Sequence, residues 1–485
     1  MKKFIFALCM LMVATMLLSA CTPAATPTTT PPTTAPAAPA QPTQAPVQPT
    51  AASTQAPAPT SAPTAAGPAP TIAFVPPTPN PKEFAGKEVN FLTIQPHQVA
   101  AENLAKWFQE DTGAKVNLQV VGYDVVTEKA VLDVTSGADA VDVVEYWYPG
   151  LGALVDNNVL VNIDDWWNQN KDRLQFSDYY PDYMQTFTMI NGHHYGVPYD
   201  GDLHLLYYNK ILFSKYNLQP PTTWDEYLND CKTITEGEKG NNVYGCAIMG
   251  QKTPLILIGT YLSRLGSYGG SFFDSQGNPT INSPEAVAAL QALVDESKYA
   301  LPTLPATDFN AAISAWTSGK AAMMEFWTDL GSMTDAPNAS SIAHQWGVVP
   351  MPKGTGPKAQ SIAPVNAGFA IGVSTGAKNK DVAMAFLEYV ARPDIALRYN
   401  TVVGGIDPIR RSTLENPTYR AFVGEDMAKA IEAAHLHNVF WPTSAIWSKL
   451  QEPLNDNLAL AIVGSKTPQQ ALDDTQKAWQ DLLKK

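Results

Sequence analysis

The chain of 485 residues carries 32 basic and 45 acidic side chains, a formal charge of −13, and includes 40 prolines. So acidic a balance excludes a protein that works by wrapping nucleic acid or coating an anionic membrane, both of which need basic surfaces. The length exceeds what one ordinary core organises and suits two lobes plus a terminal extension.

Lys2 and Lys3 precede an apolar stretch from Phe4 to Leu18 that ends in small residues. The stretch is too short for a permanent bilayer span and predicts a cleaved leader over 1–20. Leu18-Ser19-Ala20-Cys21 resembles the bacterial lipobox. That resemblance implies cleavage before Cys21, lipid on its thiol and new amino group, and an extracytoplasmic protein anchored to the cell membrane. From Thr22 to Pro81 the chain is almost all Thr, Pro, Ala, Ser and Gln, with no charged side chain and Phe74 as its only aromatic. Such a segment cannot bury enough apolar surface to offset its chain entropy, so a semi-stiff spacer is expected over 21–83. The folded part is expected over 84–485. No other apolar run is long and uncharged enough to span a membrane.

The folded part opens with the alternating run Glu88 to Ile94, a strand. Ala100 to Asp111 follows as an amphipathic helix with Leu104, Trp107 and Phe108 on one face, ended by Gly113. Val116, Leu118 and Val120 alternate as a second strand. A further helix runs into Gly137, and Val141 to Val144 reads as a short buried strand. This order is that of a parallel α/β sheet, in which ligands bind beyond the carboxyl ends of the strands. His97 and Gln98 after the first strand, and Glu145, Tyr146 and Trp147 after the third, are therefore candidate ligand contacts.

The middle of the chain reads Asn191-Gly192-His193-His194-Tyr195-Gly196-Val197-Pro198-Tyr199-Asp200-Gly201-Asp202-Leu203-His204-Leu205-Leu206-Tyr207-Tyr208-Asn209-Lys210, and later Pro220-Pro221-Thr222-Thr223-Trp224-Asp225-Glu226. Pro220 and Pro221 oppose helix, Thr223 suits an N-cap, and Asp225 and Glu226 suit the positive end of the helix that follows. This stretch resembles the extracellular sugar-binding proteins of ABC importers, solute-binding family 1, which includes the maltodextrin-binding proteins. Gly319-Lys320-Ala321-Ala322-Met323-Met324, Gly347 to Pro352, Gly368 to Ile371, Ala385 to Val390 and Ser444-Ala445-Ile446-Trp447 extend the likeness in the family's order.

The resemblance implies an α/β fold of the type II periplasmic-binding-protein kind, with two discontinuous α/β lobes joined by a hinge. The first lobe would hold about 85–202 and 334–376, the second about 206–328 and 380–485. Crossings would lie near 202–206, 326–333 and 376–382. It also implies a monomeric, non-catalytic receptor without cofactor, with an ABC permease as its protein partner.

A sugar has apolar C–H faces and a rim of hydroxyls, so its site needs flat rings for stacking and carboxylates or amides at the edges. The resemblance adds Asp202, Glu325, Trp327 and Trp447 as contacts, and Gly405 and Asp407 in a Gly-rich loop. Asp200 and Trp441 are further candidates. Cys231 and Cys246, the two cysteines of the folded part, would pair in an oxidising compartment as a structural disulfide. There is no HExxH, GxSxG or P-loop, and His435 with His437 lacks a zinc-like setting, so no metal is expected. Two alternatives stay open. One keeps the fold but binds a polyamine, a polyol phosphate, a peptide fragment or another small solute, a phosphate using Arg410 and Arg411. The other is a glycoside hydrolase using Glu145 and Glu325.

Overall fold

A computed structural model describes residues 74–402 and 406–484. The expected leader, the expected lipid attachment site Cys21, the spacer up to residue 73 and Gly405 lie outside the described residues. In chain order the main elements are β1 (Glu88–Ile94), α1 (Gln98–Thr112), β2 (Lys115–Val121), α2 (Val126–Thr135), β3 (Val143–Trp147), β4 (Val197–Asp200), β5 (His204–Asn209), α3 (Trp224–Gly237), β6 (Tyr244–Ala247), α4 (Gly259–Ser267), α5 (Pro284–Ser297), β7 (Ala321–Trp327), β8 (Trp346–Val349), β9 (Phe369–Val373), α6 (Lys380–Ala391), α7 (Pro393–Tyr399), α8 (Trp447–Ile462) and α9 (Pro468–Leu483).

Two sheets organise them. The first has the order β2-β1-β3-β9-β4, and the second β8-β5-β7-β6. In the first, β1 pairs in parallel with β2 and β3, and β9 runs antiparallel to both β3 and β4. In the second, β5 runs antiparallel to β7 and β8, and β6 is parallel to β7. The apolar runs explain the placement. Phe91, Leu92, Val143, Val144, Ala370 and Ile371 are all buried, as expected of strands covered on both faces. The type II two-lobed α/β architecture is thus present, one lobe around each sheet.

Local signals operate as read. α1 ends at Gly113, whose φ of +82° suits glycine, and a Cβ there would stand 2.0 Å from the Pro81 carbonyl oxygen. α3 starts at Thr223, which forms a reciprocal capping box with Glu226.

The chain passes from the first sheet to the second between Asp200 and His204. Two other crossings fall elsewhere than the resemblance suggests. β8 (Trp346–Val349) pairs with β5, so the chain stays in the second lobe past residue 334 and returns between 350 and 368. α6 packs on β9, β4 and β1, and α7 on α1, so 380–399 belongs to the first lobe. The first difference arises because an antiparallel addition to a sheet reads as an apolar segment without saying which sheet it joins.

Cys231 on α3 and Cys246 on β6 are buried neighbours, yet both thiols are free, so the expected disulfide is not formed. The second lobe is held instead by the fully buried Arg264. Its guanidinium donates to Glu296 at 2.6 Å and to Glu325 at 2.6 Å, and stacks 4.1 Å over Trp224.

Candidate functional site

The carboxyl ends of β1, β3 and β4 bring one histidine and two carboxylates together. Thr93 donates through Oγ1 to Glu145 Oε2 at 2.5 Å, and His97 Nδ1 lies 2.5 Å from Glu145 Oε1. On its other side His97 Nε2 stands 3.3 Å from Asp200 Oδ2. That approach misses hydrogen-bond geometry, and Oδ2 has no hydrogen-bond partner in the protein. Phe369 and Tyr199 present their rings edge-on to the imidazole.

Three more aspartates close on this group. The Asp407 backbone N–H donates to Asp200 Oδ1 at 2.7 Å, and the Thr328 N–H donates to Asp407 Oδ2 at 3.3 Å. Asp202 accepts from the Gly368 N–H at 3.3 Å. Asp329, just past β7, lies close enough to feel the charges of Asp200 and His97. A narrow cavity lined by Thr328, Asp329, Asn400, Ile406, Asp407 and Tyr419 reaches the cluster.

Among the described residues no lysine or arginine forms an ion pair with any of these four aspartates, and the electrostatics follow. Burial, and then the charges of Asp200 and Asp407, push the Asp202 carboxyl well above its ordinary range. Burial and the charges of Asp200 and Asp329 do the same to Asp407. Asp329 rises to about 7 through burial and the Asp200 charge. Burial disfavours the His97 cation, but the charges of Glu145 and Asp200 outweigh it and hold the imidazole well above its usual value.

Aromatic surface stands beside the carboxylates. Trp147 is half-buried, donates through Nε1 to the Ala367 carbonyl at 2.9 Å, and meets Trp441 edge to face at 5.0 Å. Trp327 packs edge to face on His204 at 4.6 Å, and its Nε1 has no partner. Asn366, on the return crossing, approaches α4 where a Cβ on Gly259 would stand 2.0 Å from its Oδ1. Asn366 Oδ1, His204 Nδ1 and Thr328 Oγ1 are also buried without partners.

Of the candidates read from the sequence, His97, Glu145, Asp202 and Asp407 come together, with Asp200 at their centre. Trp147 and Trp327 lie at strand ends nearby. Four others do not join them. β3 extends through Trp147 instead of ending at Val144, so strand alternation turns Tyr146 to the face opposite Glu145. There it is buried and donates to the Phe187 carbonyl at 3.0 Å. Glu325 lies within β7 and is taken up by Arg264. Trp447 is fully buried behind Trp441 against Phe272 and Trp479, so it is core. Gln98 turns along its own helix to Glu102 at 2.8 Å. Arg410 and Arg411 are not available to a phosphate. Arg410 donates to the carbonyls of Gln175, Leu174 and Ala391, and Arg411 to those of Ser177 and Asp178.

Sequence reading missed Asp329, Thr328, His204 and Asn366. Only the Thr-Asp pair straight after an apolar strand offered a signal for the first two.

Comparison with known proteins agrees with this geometry. A family model described as bacterial extracellular solute-binding protein matches residues 85–396. The chain is similar to a probable amino-acid ABC transporter periplasmic-binding protein, y4oP, of Sinorhizobium fredii. The two are 25% identical over 411 residues, covering 82% of this chain and 89% of that protein. It is also similar to an ABC transporter solute-binding protein of Agrobacterium radiobacter solved in complex with ribitol. There the identity is 25% and the TM-score 0.72, over 82% of this chain and 98% of that one. A maltose-bound MalE3 of T. maritima shares the fold at 23% identity and a TM-score of 0.73, over 82% of this chain and 100% of that one.

Proposed function

The chain belongs to the bacterial extracellular solute-binding proteins, and from that premise we propose that it captures a sugar or polyol between its lobes and delivers it to an ABC permease without breaking a bond in it. The observation that carries this reading is the set of buried polar atoms without protein partners: Asp200 Oδ2, Asp329 Oδ1, Thr328 Oγ1, Trp327 Nε1 and Asn366 Oδ1. Buried polar groups cost free energy unless hydrogen-bonded, and a polyhydroxylated solute is both donor and acceptor. Solute hydroxyls donate to the carboxylates of Asp200, Asp202, Asp329 and Asp407. The indole N–H of Trp327 and the hydroxyl of Thr328 donate to solute oxygens. The ring of Trp147 stacks on a C–H face. Closure about the crossings at 201–203 and 350–368 then seals the site, and the closed form docks on the permease.

Family membership places the protein outside the cytoplasm. The cleaved leader, the lipid on Cys21, the spacer and the monomeric state complete the proposal. A lipid at one end of a proline-rich tether holds the receptor near its permease while leaving the lobes free to move.

The hydrolase alternative loses support because Glu145 is committed to His97 and Thr93, and Glu325 to Arg264, in separate sheets. The phosphate alternative loses support with Arg410 and Arg411. An amine-bearing solute keeps one supporting observation, four clustered aspartates with no lysine or arginine paired to them among the described residues. Calorimetric titration of the protein with neutral sugars, polyols and spermidine separates the two. A neutral carbohydrate that binds supports the reading, and spermidine alone rejects it.

A further inference from the structure

His97, Asp200 and Asp202 each bring one metal-ligating atom to the floor of the first lobe, and these atoms all lie within 4.8 Å of one another. Three further features of this group go beyond carboxylate crowding. Glu145 Oε1 sits 2.5 Å from His97 Nδ1. A carboxylate accepts only, so Glu145 holds a proton on Nδ1, and a metal ion at Nε2 would displace the proton that this nitrogen carries toward Asp200 in the metal-free ion pair. A carboxylate behind the distal imidazole nitrogen is the arrangement that orients metal-binding histidines. Next, Nε2 and Asp200 Oδ2 are 3.3 Å apart without hydrogen-bond geometry. Two donors each about 2.0–2.2 Å from a shared divalent ion, at a tetrahedral angle, stand about 3.3–3.5 Å apart. Finally, Asp200 is only 1% exposed and its Oδ2, which has no hydrogen-bond partner, rests against His97 in an ion pair.

We propose that His97, Asp200 and Asp202 bind a first-row divalent cation, Mn2+ or Zn2+, with Glu145 as the positioning residue behind His97. The mixed imidazole–carboxylate set disfavours Mg2+ and Ca2+, which take oxygen shells, and the lack of thiolate disfavours Cu(I). No motif announces the site, because the three ligands come from the β1–α1 turn, the end of β4 and the crossing after it, in no zinc-like spacing. Asp202 has a left-handed backbone (φ +39°) in the crossing between the sheets. An ion bound there ties the crossing to the first lobe and stiffens it. The site shares Asp200 and Asp202 with the solute contacts proposed above, so an ion there would lie against the bound solute.

The test is calorimetric titration of the full chain, stripped with a chelator, with MnCl2, ZnCl2 and CaCl2. One equivalent of Mn2+ or Zn2+ is expected, with Ca2+ at least tenfold weaker. Asp200→Asn and His97→Ala should each lose at least tenfold in affinity, and Glu145→Gln about 10–100-fold. If a variant fails to fold, X-ray absorption of the metal-loaded wild type keeps the test open. A shell of oxygen plus one imidazole supports the site, and a sulfur ligand overturns it. No uptake by the stripped wild type, or equal uptake by all folded variants, also overturns it. Carbohydrate binding by the metal-free protein in that case leaves the transport reading standing and removes the metal centre alone.

Discussion

The backbone N–H of Asp407 donates to Oδ1 of Asp200 at 2.7 Å, joining residues 207 positions apart. This bond fastens the loop that follows α7 to the end of β4. It also brings the Asp407 side chain over to the Thr328 N–H, at the end of β7 in the other lobe. One aspartate thereby touches both lobes.

Asp407→Ala should therefore weaken carbohydrate binding by about fivefold to a hundredfold, the cost of leaving its buried hydrogen-bonding partners unsatisfied, about 1–3 kcal/mol. The backbone bond to Asp200 survives the change, so the fold should persist. Titration calorimetry on a variant with an unchanged circular dichroism spectrum reads the effect, and wild-type affinity would show that this carboxylate does not reach the solute.

Trp147 and Trp447 separate binding from stability. Trp147 is half-buried and positioned for stacking, so Trp147→Ala should cost about 1–2 kcal/mol of binding with a small loss of stability. Trp447 is fully buried. Trp447→Ala should cost about 3–5 kcal/mol of folding free energy, seen in urea unfolding. The reverse pattern would return Trp447 to the site.

Arg264 neutralises two carboxylates inside the second lobe. Arg264→Met leaves Glu296 and Glu325 buried without a cation, a loss of about 3–5 kcal/mol. Adding Glu296→Gln and Glu325→Gln should recover part of it. A triple variant no more stable than the single one would place the cost in lost packing over Trp224 instead.

His204 and His435 are both pushed down to about 3, mainly by burial, with Arg264 adding to the effect on His204. Folded, they stay neutral; unfolded, they bind protons below about 6.5. Their contribution to stability is therefore full above that value and is lost as pH falls from there toward 3. The crowded aspartates titrate with the opposite sign, so the informative quantity is a difference. His435→Phe, which keeps the stack on Tyr180 at 4.2 Å, should gain in Tm relative to wild type as pH drops from 6.5 to 4. A difference that does not change with pH contradicts a neutral His435.

Much of this was legible because local rules decided it. Gly113, Thr223 and the apolar runs of β1, β2 and β3 fix their elements through short-range chemistry. His97 and Glu145 were singled out because ligand contacts gather at the carboxyl ends of strands, and Asp202 through the family resemblance; the structure brings the three close to Asp200. Tyr146 and Glu325 were misplaced because both strands run further than their apolar cores suggest, and one added residue turns a side chain to the other face. Trp441 and Trp447 look alike in sequence, and both indoles are buried, Trp447 behind Trp441 where α8 packs on α9. Asp329 and Asn366 carry no periodic signal, since what distinguishes them is the partner each lacks.

Solute capture is tested most directly by titrating the full-length protein calorimetrically with neutral sugars and polyols, maltose, ribitol and mannitol among them, and then analysing the recovered solute. The account predicts saturable one-to-one binding of at least one of them, abolished or strongly weakened in Asp407→Ala, with the solute recovered intact. Binding by none, alongside a clear response to an amine or a phosphate ester, or recovery of a cleaved solute, would contradict it.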